Sequence, residues 1–412
     1  MNASPTPTTT SAPPAPAASV RLPLVTYVLA AGVFLMGTTE FVVAGILPQI
    51  ATDLGITVAR AGLMITVFAL GMIIGTPAMA IATLKLDRRL TLTAGLVLFA
   101  LAHVAVALTS SFALILVARF LTALATGAFW AVAAVVAAKE AGPAASRALG
   151  IVLGGGMLAN AVGVPLGALA GQAMGWRGPF WILAVLAVGA AVLIYAQVHP
   201  NDDADAPAPS VRAEVAVLKD VRVWLVLACC AIVCGSSLAA YSFISPLLTG
   251  RTGLSAGAVP FVLLVYGLGA LLGSLYGGKL GVERPYGVMY VSATMTFLSL
   301  AGLIAFSHVP AATVVLVFTL GLFGMSTNPI LIGKSVAYAA KAPTLASAMS
   351  TSSFNVGTML GSWVAGFALE SSLGLRGPVV VGTVVAALYA LPLTALLRRD
   401  RRDVARQVEE VI

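Results

Sequence analysis

Residues 24–47 read LVTYVLAAGVFLMGTTEFVVAGIL, and this stretch decides what kind of protein the chain forms. It carries a single charged residue, Glu40, in a run long enough for a helix rising ~1.5 Å per residue to cross a hydrocarbon layer of ~30 Å. Eleven more apolar runs follow. We therefore predict twelve transmembrane helices, near 24–47, 61–83, 91–109, 112–138, 146–170, 178–197, 221–247, 256–278, 287–307, 311–335, 344–369 and 377–397.

The composition excludes a soluble protein. Of 412 residues, 59% are hydrophobic and only 9% are Asp, Glu, Lys or Arg, whereas soluble domains carry about 25% charged residues. That is too little charge to cover the surface of a soluble enzyme, a nucleic-acid binder or a disulfide scaffold. The expected fold is an all-α integral membrane protein with twelve transmembrane helices in two pseudo-symmetric six-helix bundles.

Polar segments divide the chain into five parts. Residues 1–23 are rich in Pro, Thr and Ala and are expected to form a disordered cytoplasmic tail. We expect residues 24–197 to form an N-terminal six-helix bundle and residues 221–397 a C-terminal one, joined by a cytoplasmic linker at 198–220. Residues 398–412 are expected to form a basic cytoplasmic tail.

The basic residues predict the orientation. With the N-terminus in the cytoplasm, most of the 23 lysines and arginines fall in cytoplasmic segments, and the external loops hold Arg60, Arg177, Arg251 and Arg376. This asymmetry follows the positive-inside rule and places both termini in the cytoplasm. The net charge of +8 therefore reflects membrane topology, and no nucleic-acid partner is expected.

The two halves repeat each other in register. Gly37-Thr38-Thr39 recurs as Gly235-Ser236-Ser237, Phe68-x-Leu70-Gly71-x3-Gly75 as Tyr266-x-Leu268-Gly269-x3-Gly273, and Arg177-Gly178-Pro179 as Arg376-Gly377-Pro378. Three matches at nearly the same offset indicate a duplicated bundle. Parallel repeats of this kind occur in transporters whose substrate lies between the halves at mid-membrane.

Two charged residues lie well inside predicted helices. Glu40 in the first helix and Arg119 in the fourth stand at matching depth, ~10 Å below the external surface by helical rise. Charges inside a membrane cost about 2.5–3.5 kcal/mol on insertion scales and are usually functional. We predict that Glu40 carries a coupled proton and that Arg119 modulates its affinity; the alternative is a static ion pair.

Polar and aromatic residues inside the helices are candidates for a substrate cavity, namely Phe41, Trp130, Asn160 and Tyr241. The cysteines fall in one apolar run without His at metal-ligand spacing, so no metal is expected. No P-loop is present and no cofactor is expected. No paired acids or Ser/His sets lie within the helices, so we expect a protein that is not an enzyme.

These features together resemble the major facilitator superfamily, over the whole chain. The loop Lys85-Leu-Asp-Arg88-Arg89 is similar to the superfamily's loop motif, and Arg119 with Gly127 resembles the fourth-helix motif of its twelve-span drug:proton antiporters. The loop motif's aspartate and second glycine are replaced here by Leu84 and Asp87. The resemblance implies that Arg119 participates in proton transfer.

The fifth helix carries the motif most specific to exporters. Gly163-Val-Pro165-Leu-Gly167-x3-Gly171 resembles the glycine-proline motif of antiporters, with Val164 separating its Gly-Pro pair. Pro removes a backbone donor and bends a helix, and Gly admits a close neighbour, so the segment can act as a hinge.

The segment Met36-Gly-Thr-Thr-Glu40-Phe-Val-Val-Ala-Gly45-Ile-Leu-Pro48-Gln-Ile-Ala-Thr-Asp53-Leu54 resembles the first helix of a branch that contains chloramphenicol-efflux proteins and arabinose-type sugar exporters. The run Ala123-Leu-Ala-Thr-Gly127-Ala-Phe-Trp130 and the segment Leu158-Ala-Asn160 favour the chloramphenicol exporters. The resemblance implies a proton-coupled antiporter of the inner membrane that exports a small neutral amphipathic compound by alternating access. Chloramphenicol or a related drug is the preferred substrate. A sugar or other metabolite exporter, or a facilitator of the same fold, is the alternative. The expected partners are the substrate, protons and the lipid bilayer, and the expected state is a monomer.

Overall fold

A computed structural model describes residues 22–82, 86–199, 220–339 and 343–411, with side chains described except at 80, 81, 343, 344 and from 403 onward. Throughout these residues the chain is helical, and it contains no strand. Most of the predicted tail at 1–23, most of the linker at 198–220, and Lys85 of the loop motif lie outside the described residues.

The helices form twelve spans. Spans 1 to 6 are Leu24–Leu54, Val58–Ala82, Arg88–Leu108, Phe112–Ala141, 145–174 and Gly178–Gln197. Spans 7 to 12 are Val221–Gly250, Val259–Glu283, Pro285–Phe306, Pro310–Tyr338, Pro343–Glu370 and 377–411.

Ten stretches of the described residues meet the length and hydropathy of a membrane span on their own. One of them, Phe112–Met174, is 63 residues long and contains both span 4 and span 5, separated at Gly142. Span 11 is 28 residues long and rich in Ser and Thr, and it packs between spans 2 and 7. The twelve-helix prediction is thereby confirmed.

Two spans extend beyond their predicted ends. Span 1 continues through Pro48 to Leu54 and stops at Gly55, whose φ of 61° is the left-handed conformation that glycine adopts at helix ends. The last helix continues from Ala390 to Val411, so the basic segment expected as a tail is helical. Arginine and glutamate favour helix strongly, and apolarity marks only the part that crosses the membrane.

The sequence repeat is reproduced in three dimensions. A Cβ added at Gly71 would lie 2.9 Å from the carbonyl oxygen of Phe120, and one added at Gly269 would lie 2.4 Å from that of Phe318. Phe120 and Phe318 are themselves repeat counterparts. The same backbone approach between the second and fourth helices therefore recurs in both halves, which the absence of side chains at these glycines permits.

For the ends of the bundle we use two terms. The distal end is where span 1 finishes, at Leu54, and the proximal end is where it begins, at Leu24. One apolar core at the distal end is shared by both halves and joins residues such as Ile46 and Leu47 of span 1 to Tyr241 and Leu263. At the proximal end each half has a separate core.

Two of the contacts between the halves, in the described residues, are seams along packed helices. In one, span 2 packs on span 11, with Thr66 Oγ1 2.9 Å from Ser362 Oγ and Ser352 Oγ donating to the Ile73 carbonyl at 2.7 Å. In the other, span 5 packs on span 8, where a Cβ at Gly267 would lie 2.3 Å from the Asn160 carbonyl oxygen. The proximal part of span 5, Ala145–Leu158, makes few contacts with span 8.

The outward faces of the spans are apolar. Leu101, Val185, Val192, Phe261 and Val315 each expose 60% or more of their surface. Soluble monomers rarely expose apolar patches larger than a few hundred Å². Lipid is the solvent that suits these faces.

Candidate functional site

Arg119 is completely buried at the centre of the N-terminal half. Its Nη1 donates to Thr39 Oγ1 at 2.9 Å and its Nε to the Met64 carbonyl at 3.3 Å. The guanidinium carbon lies 4.4 Å from the centroid of the Phe68 ring, a cation–π contact. Spans 1 and 2 thus hold this charge in place.

Thr39 continues the network to a histidine. Its Oγ1 lies 2.8 Å from Nε2 of His103 in span 3, and Nδ1 of His103 lies 2.7 Å from the Phe99 carbonyl oxygen. The His103 ring stacks on Phe99 with centroids 3.9 Å apart. Arg119, Thr39 and His103 therefore form one buried chain of hydrogen bonds, which we call the polar chain.

Hydrogen-bond chemistry fixes the protons in the polar chain. A carbonyl oxygen only accepts, so Nδ1 of His103 carries a hydrogen and donates it to Phe99. Arg119 only donates, so Thr39 accepts from it and has its own hydroxyl hydrogen left for Nε2 of His103. When that hydrogen is donated to Nε2, His103 is a neutral imidazole, and the burial of the ring favours this form over the charged one.

Glu40 is the next residue of span 1 after Thr39. Its side chain is partly buried, and it lies within electrostatic range of Arg119 and of Cys234 in span 7. Within the described part of the chain the carboxyl group has no hydrogen-bond or ion-pair partner, and the hydrogen bonds of Arg119 go to Thr39 and Met64. Glu40 therefore lies between the halves, beside a fixed positive charge but not paired with it.

An aromatic group lies across the interface from Glu40. Phe41 contacts Tyr241 edge-on at 6.3 Å between centroids, and Tyr241 stacks on Tyr266 at 4.0 Å. Both tyrosines are about 1% exposed. The structure thus brings together two of the predicted cavity residues, Phe41 and Tyr241, and adds Tyr266 of span 8.

The other two predicted cavity residues lie in the N-terminal half. The Trp130 ring in span 4 faces the position of Gly156 in span 5, at 3.7 Å from an added Cβ. Asn160 lies in a π-helical turn, Ala159–Gly163, and its carbonyl oxygen contacts Gly267 of span 8. Neither residue contacts Phe41 or Tyr241 through an aromatic pair or a hydrogen bond in the described residues.

Several buried donors of both halves lack an acceptor. Among described residues, Trp130 Nε1, Tyr241 Oη, Tyr266 Oη and Arg119 Nη2 have no hydrogen-bond partner. Buried polar groups are nearly always satisfied, so each such exception requires an explanation. Donors that await an acceptor from a bound molecule or water provide one.

The predicted hinge motif forms a groove in span 5. A Cβ added at Gly163, Gly167 or Gly171 would lie 2.0, 2.4 or 2.6 Å from a side-chain atom of Thr38, Val42 or Ile46, respectively. Both sets are spaced four residues apart, so they lie on facing sides of two helices. Span 1, which carries Glu40, is therefore seated directly on the glycine motif.

The π turn has a local cause. Pro165 follows it at the start of Val164–Met174, and a proline ring clashes with the carbonyl four residues earlier, here that of Ala161. The backbone widens instead, and the Val164 N–H bonds to the Ala159 carbonyl, five residues back. Such turns are frequent at functional sites.

The loop motif has a structural arrangement in its described part. Asp87 Oδ1 accepts from the Leu90 N–H at 2.8 Å and so caps span 3, which Arg88 begins. Arg89 lies 3.6 Å over the Tyr195 ring of span 6.

Sequence reasoning missed Thr39, His103 and Tyr266 as site residues. The repeat offered a signal for each. The counterparts of Thr39, His103 and Arg119 are Ser237, Ala301 and Val317, so the polar chain belongs to one half only. Tyr266 is the counterpart of Phe68, the ring that contacts Arg119.

Comparison with known proteins identifies this architecture. A family model described as Major Facilitator Superfamily matches residues 29–353. A chloramphenicol resistance protein of Streptomyces lividans is 35% identical over 91% of this chain and 97% of its own length. A probable sugar efflux transporter of Mannheimia succiniciproducens is 28% identical over 88% of this chain and 90% of its own.

A solved structure shares the fold. The crystal structure of a bacterial homolog to the human lysosomal transporter Spinster, in an inward-facing and occupied conformation, superimposes with a TM-score of 0.71. The alignment covers 91% of this chain and 96% of that one, at 16% sequence identity.

Proposed function

Because the chain belongs to the major facilitator superfamily and is a multi-pass membrane transporter, we propose that it is a proton-coupled antiporter. It exports a small, neutral, amphipathic compound, and chloramphenicol or a related drug is the substrate that we propose first. The observation that carries this proposal is the position of Glu40, a carboxyl group between the halves that has no protein partner among the described residues.

An unpartnered carboxyl group is suited to carrying a proton. In low dielectric the charged form of Glu40 is disfavoured by burial and favoured by the nearby Arg119. Arg119 is held by Thr39 and Met64 and stacked on Phe68, so its position does not depend on Glu40. Glu40 can therefore gain and lose a proton while the Arg119 side chain keeps its contacts with Thr39, Met64 and Phe68.

Coupling requires the surroundings of the Glu40 carboxyl group to change when one half moves relative to the other. Glu40 lies near Cys234 of span 7, and its neighbour Phe41 contacts Tyr241. Rocking of one half against the other would change these contacts. The shared distal core and separate proximal cores support a state that is closed distally and accessible proximally. The glycine groove of span 5 would guide span 1 during the change.

The substrate preference rests on the interface chemistry. Aromatic rings provide an apolar surface, and the unpartnered donors of Tyr241, Tyr266 and Trp130 can bind carbonyl, hydroxyl or nitro oxygens. A neutral compound leaves no unpaired charge behind when it departs. The relative that is named a chloramphenicol resistance protein and the extent of its alignment support phenicols as the first compounds to test.

The orientation follows from the distribution of basic residues. We place the proximal end in the cytoplasm, with both termini there, and the protein in the inner or plasma membrane as a monomer. The distal end then faces outward, and the proximally accessible state is the one that loads substrate from the cytoplasm.

The proposal is tested by proton flux in inverted membrane vesicles with an acidified lumen. Addition of chloramphenicol should alkalinise the lumen with wild-type protein and should have no effect with Glu40→Gln. Glu370→Gln, which removes an exposed carboxylate at the distal end of span 11, should behave as wild type. Phenicol-evoked flux that persists in Glu40→Gln would contradict the role of Glu40.

A sugar exporter of the same fold is the second candidate, because the aligned relatives include a probable sugar efflux transporter. The same vesicles separate the two. A response to a sugar but not to phenicols would retain the mechanism and change the substrate. Substrate uptake without any proton movement would instead indicate a facilitator.

A further inference from the structure

The distal end of the N-terminal half is closed by a charge pair. Arg177 Nη1 lies 2.5 Å from Asp53 Oδ2, and the Trp176 indole N–H donates to the same oxygen at 2.9 Å. Arg177 also reaches the Thr109 carbonyl at 3.4 Å. The Arg177 guanidinium thus joins the end of span 1, the end of span 3 and the loop before span 6.

The repeat places different charges at the same positions of the C-terminal half. The counterpart of Asp53 is Arg251, that of Arg177 is Arg376, and that of Thr109 is Ser307. Arg251 Nε donates to Ser307 Oγ at 2.7 Å, so the link between the seventh and ninth spans is kept. In the C-terminal half, Arg251 stands where Asp53 stands in the N-terminal half, so the carboxylate that would neutralise Arg376 is missing from that position.

The two arginines line one cavity. A pocket of about 540 Å³ at the distal end is bounded by Gly250, Arg251, Ser372, Leu373, Leu375 and Arg376. Within the described residues, the Arg376 guanidinium makes no hydrogen bond or ion pair, and the residue is exposed. Two like charges face the same space, and no acid of the described chain pairs with either guanidinium.

We propose that this pocket binds a phosphate oxyanion. Arginine presents a planar fork of donors that matches phosphate geometry, and Ser372 adds a hydroxyl at the pocket wall. The remaining walls are Leu373 and Leu375, which suit the apolar part of a phospholipid. An oxyanion supplies the negative charge that Asp53 supplies in the other half.

The site adjoins the distal contact between the halves. A Cβ at Gly250 would lie 2.8 Å from Leu375 Cδ1, so the loop carrying Arg376 packs on the end of span 7. The segment Ile244–Gly250 in turn packs against span 1. The bound oxyanion thus lies on the segment that closes the distal end. This inference does not depend on the proposed substrate or on proton coupling.

The test is binding of phosphatidylglycerol to the purified full-length protein, measured by native mass spectrometry. Dioleoylglycerol, which has the acyl chains without the phosphate, is the lipid control. We expect Arg376→Gln to weaken phosphatidylglycerol binding by about tenfold, which corresponds to about 1.4 kcal/mol, because it removes charge-assisted hydrogen bonds to the phosphate. Arg60→Gln, which removes an exposed distal arginine outside the pocket, should bind as wild type.

Inorganic phosphate distinguishes the source of the oxyanion. Binding of inorganic phosphate, measured by calorimetry, that is lost in Arg376→Gln while phosphatidylglycerol binding is absent would support the site with a free anion as its occupant. Arg251→Gln, checked for an unchanged melting temperature, should weaken whichever ligand binds. Equal binding of both ligands by wild type, Arg376→Gln and Arg251→Gln would overturn the proposal.

Discussion

Nη1 of Arg119 donates a hydrogen bond to Oγ1 of Thr39 at 2.9 Å, whereas Glu40, the next residue of span 1, has no ion-pair partner among the described residues. Thr39 and Glu40 are consecutive residues of one helix turn. Thr39 binds Arg119 through a hydrogen bond, and Glu40 interacts with the same charge electrostatically. The arginine is fixed and the carboxyl group remains available.

Thr39→Val should reduce transport although valine and threonine have nearly the same size. Valine keeps the shape of threonine but leaves Arg119 Nη1 and His103 Nε2 without their shared partner, at a cost of about 1–3 kcal/mol for a buried group. We expect a lower melting temperature and reduced proton-coupled flux in vesicles. Thr126→Val, which removes only a bond to the Thr122 carbonyl of the same helix, is the matched control. Equal effects of the two variants would contradict the polar chain.

The protonation of His103 is open to direct measurement. We predict a neutral ring with hydrogen on Nδ1, because Nδ1 faces a carbonyl oxygen, Nε2 faces the Thr39 hydroxyl, which has a hydrogen to donate, and burial disfavours the charged ring. Solid-state nitrogen NMR of histidine-labelled protein should show this tautomer at neutral pH. His199 and His308 are replaced by glutamine to remove their signals. A doubly protonated ring or the opposite tautomer would refute the assignment.

The glycine groove predicts a steric effect on span 1. Gly167→Val would force a side chain into Val42, which lies 2.4 Å from an added Cβ, and overpacking of this kind costs about 1–3 kcal/mol. We expect transport to fall, with the protein still inserted in the membrane. Gly154→Ala, in the same span with open space around it, should transport at the wild-type rate. Normal transport by Gly167→Val would show that the groove is not required.

The seam between spans 5 and 8 predicts the effect of a steric substitution at the contact between the halves. Gly267→Val would collide with the backbone of Asn160 and Ala161, which lie within 2.5 Å of an added Cβ. Separation of this seam should favour states open at the distal end. Cysteine accessibility to a membrane-impermeant thiol reagent at Gln172→Cys, beside the distal contact with Ala256, should rise. Unchanged accessibility would contradict the role of this seam.

The number of spans and the duplication were predictable from the sequence because both depend on apolar length and on spacing. Span 11 shows the limit of hydropathy alone, since its Ser and Thr residues lower its apolarity while its packing between two spans protects them. The end of span 1 was misplaced because Pro48 lies inside a helix that stops only at Gly55.

The candidate site was predictable only in part. Glu40 and Arg119 stand out because charge is costly inside a membrane, whereas Thr39 is unremarkable in sequence. Its role depends on being within reach of Arg119 and His103, which are far from it along the chain. Phe41 and Tyr241 come into contact only because the halves pack together. The packing of the halves cannot be read from hydropathy or from spacing along the chain.

The most direct measurement compares uphill transport with exchange in proteoliposomes containing wild-type protein or Glu40→Gln. Glutamine imitates the protonated carboxyl group and cannot release a proton. We predict that Glu40→Gln loses accumulation of chloramphenicol driven by a pH gradient, yet still exchanges labelled for unlabelled chloramphenicol across the membrane. Accumulation by Glu40→Gln at the wild-type level would contradict the claim that Glu40 carries the coupled proton.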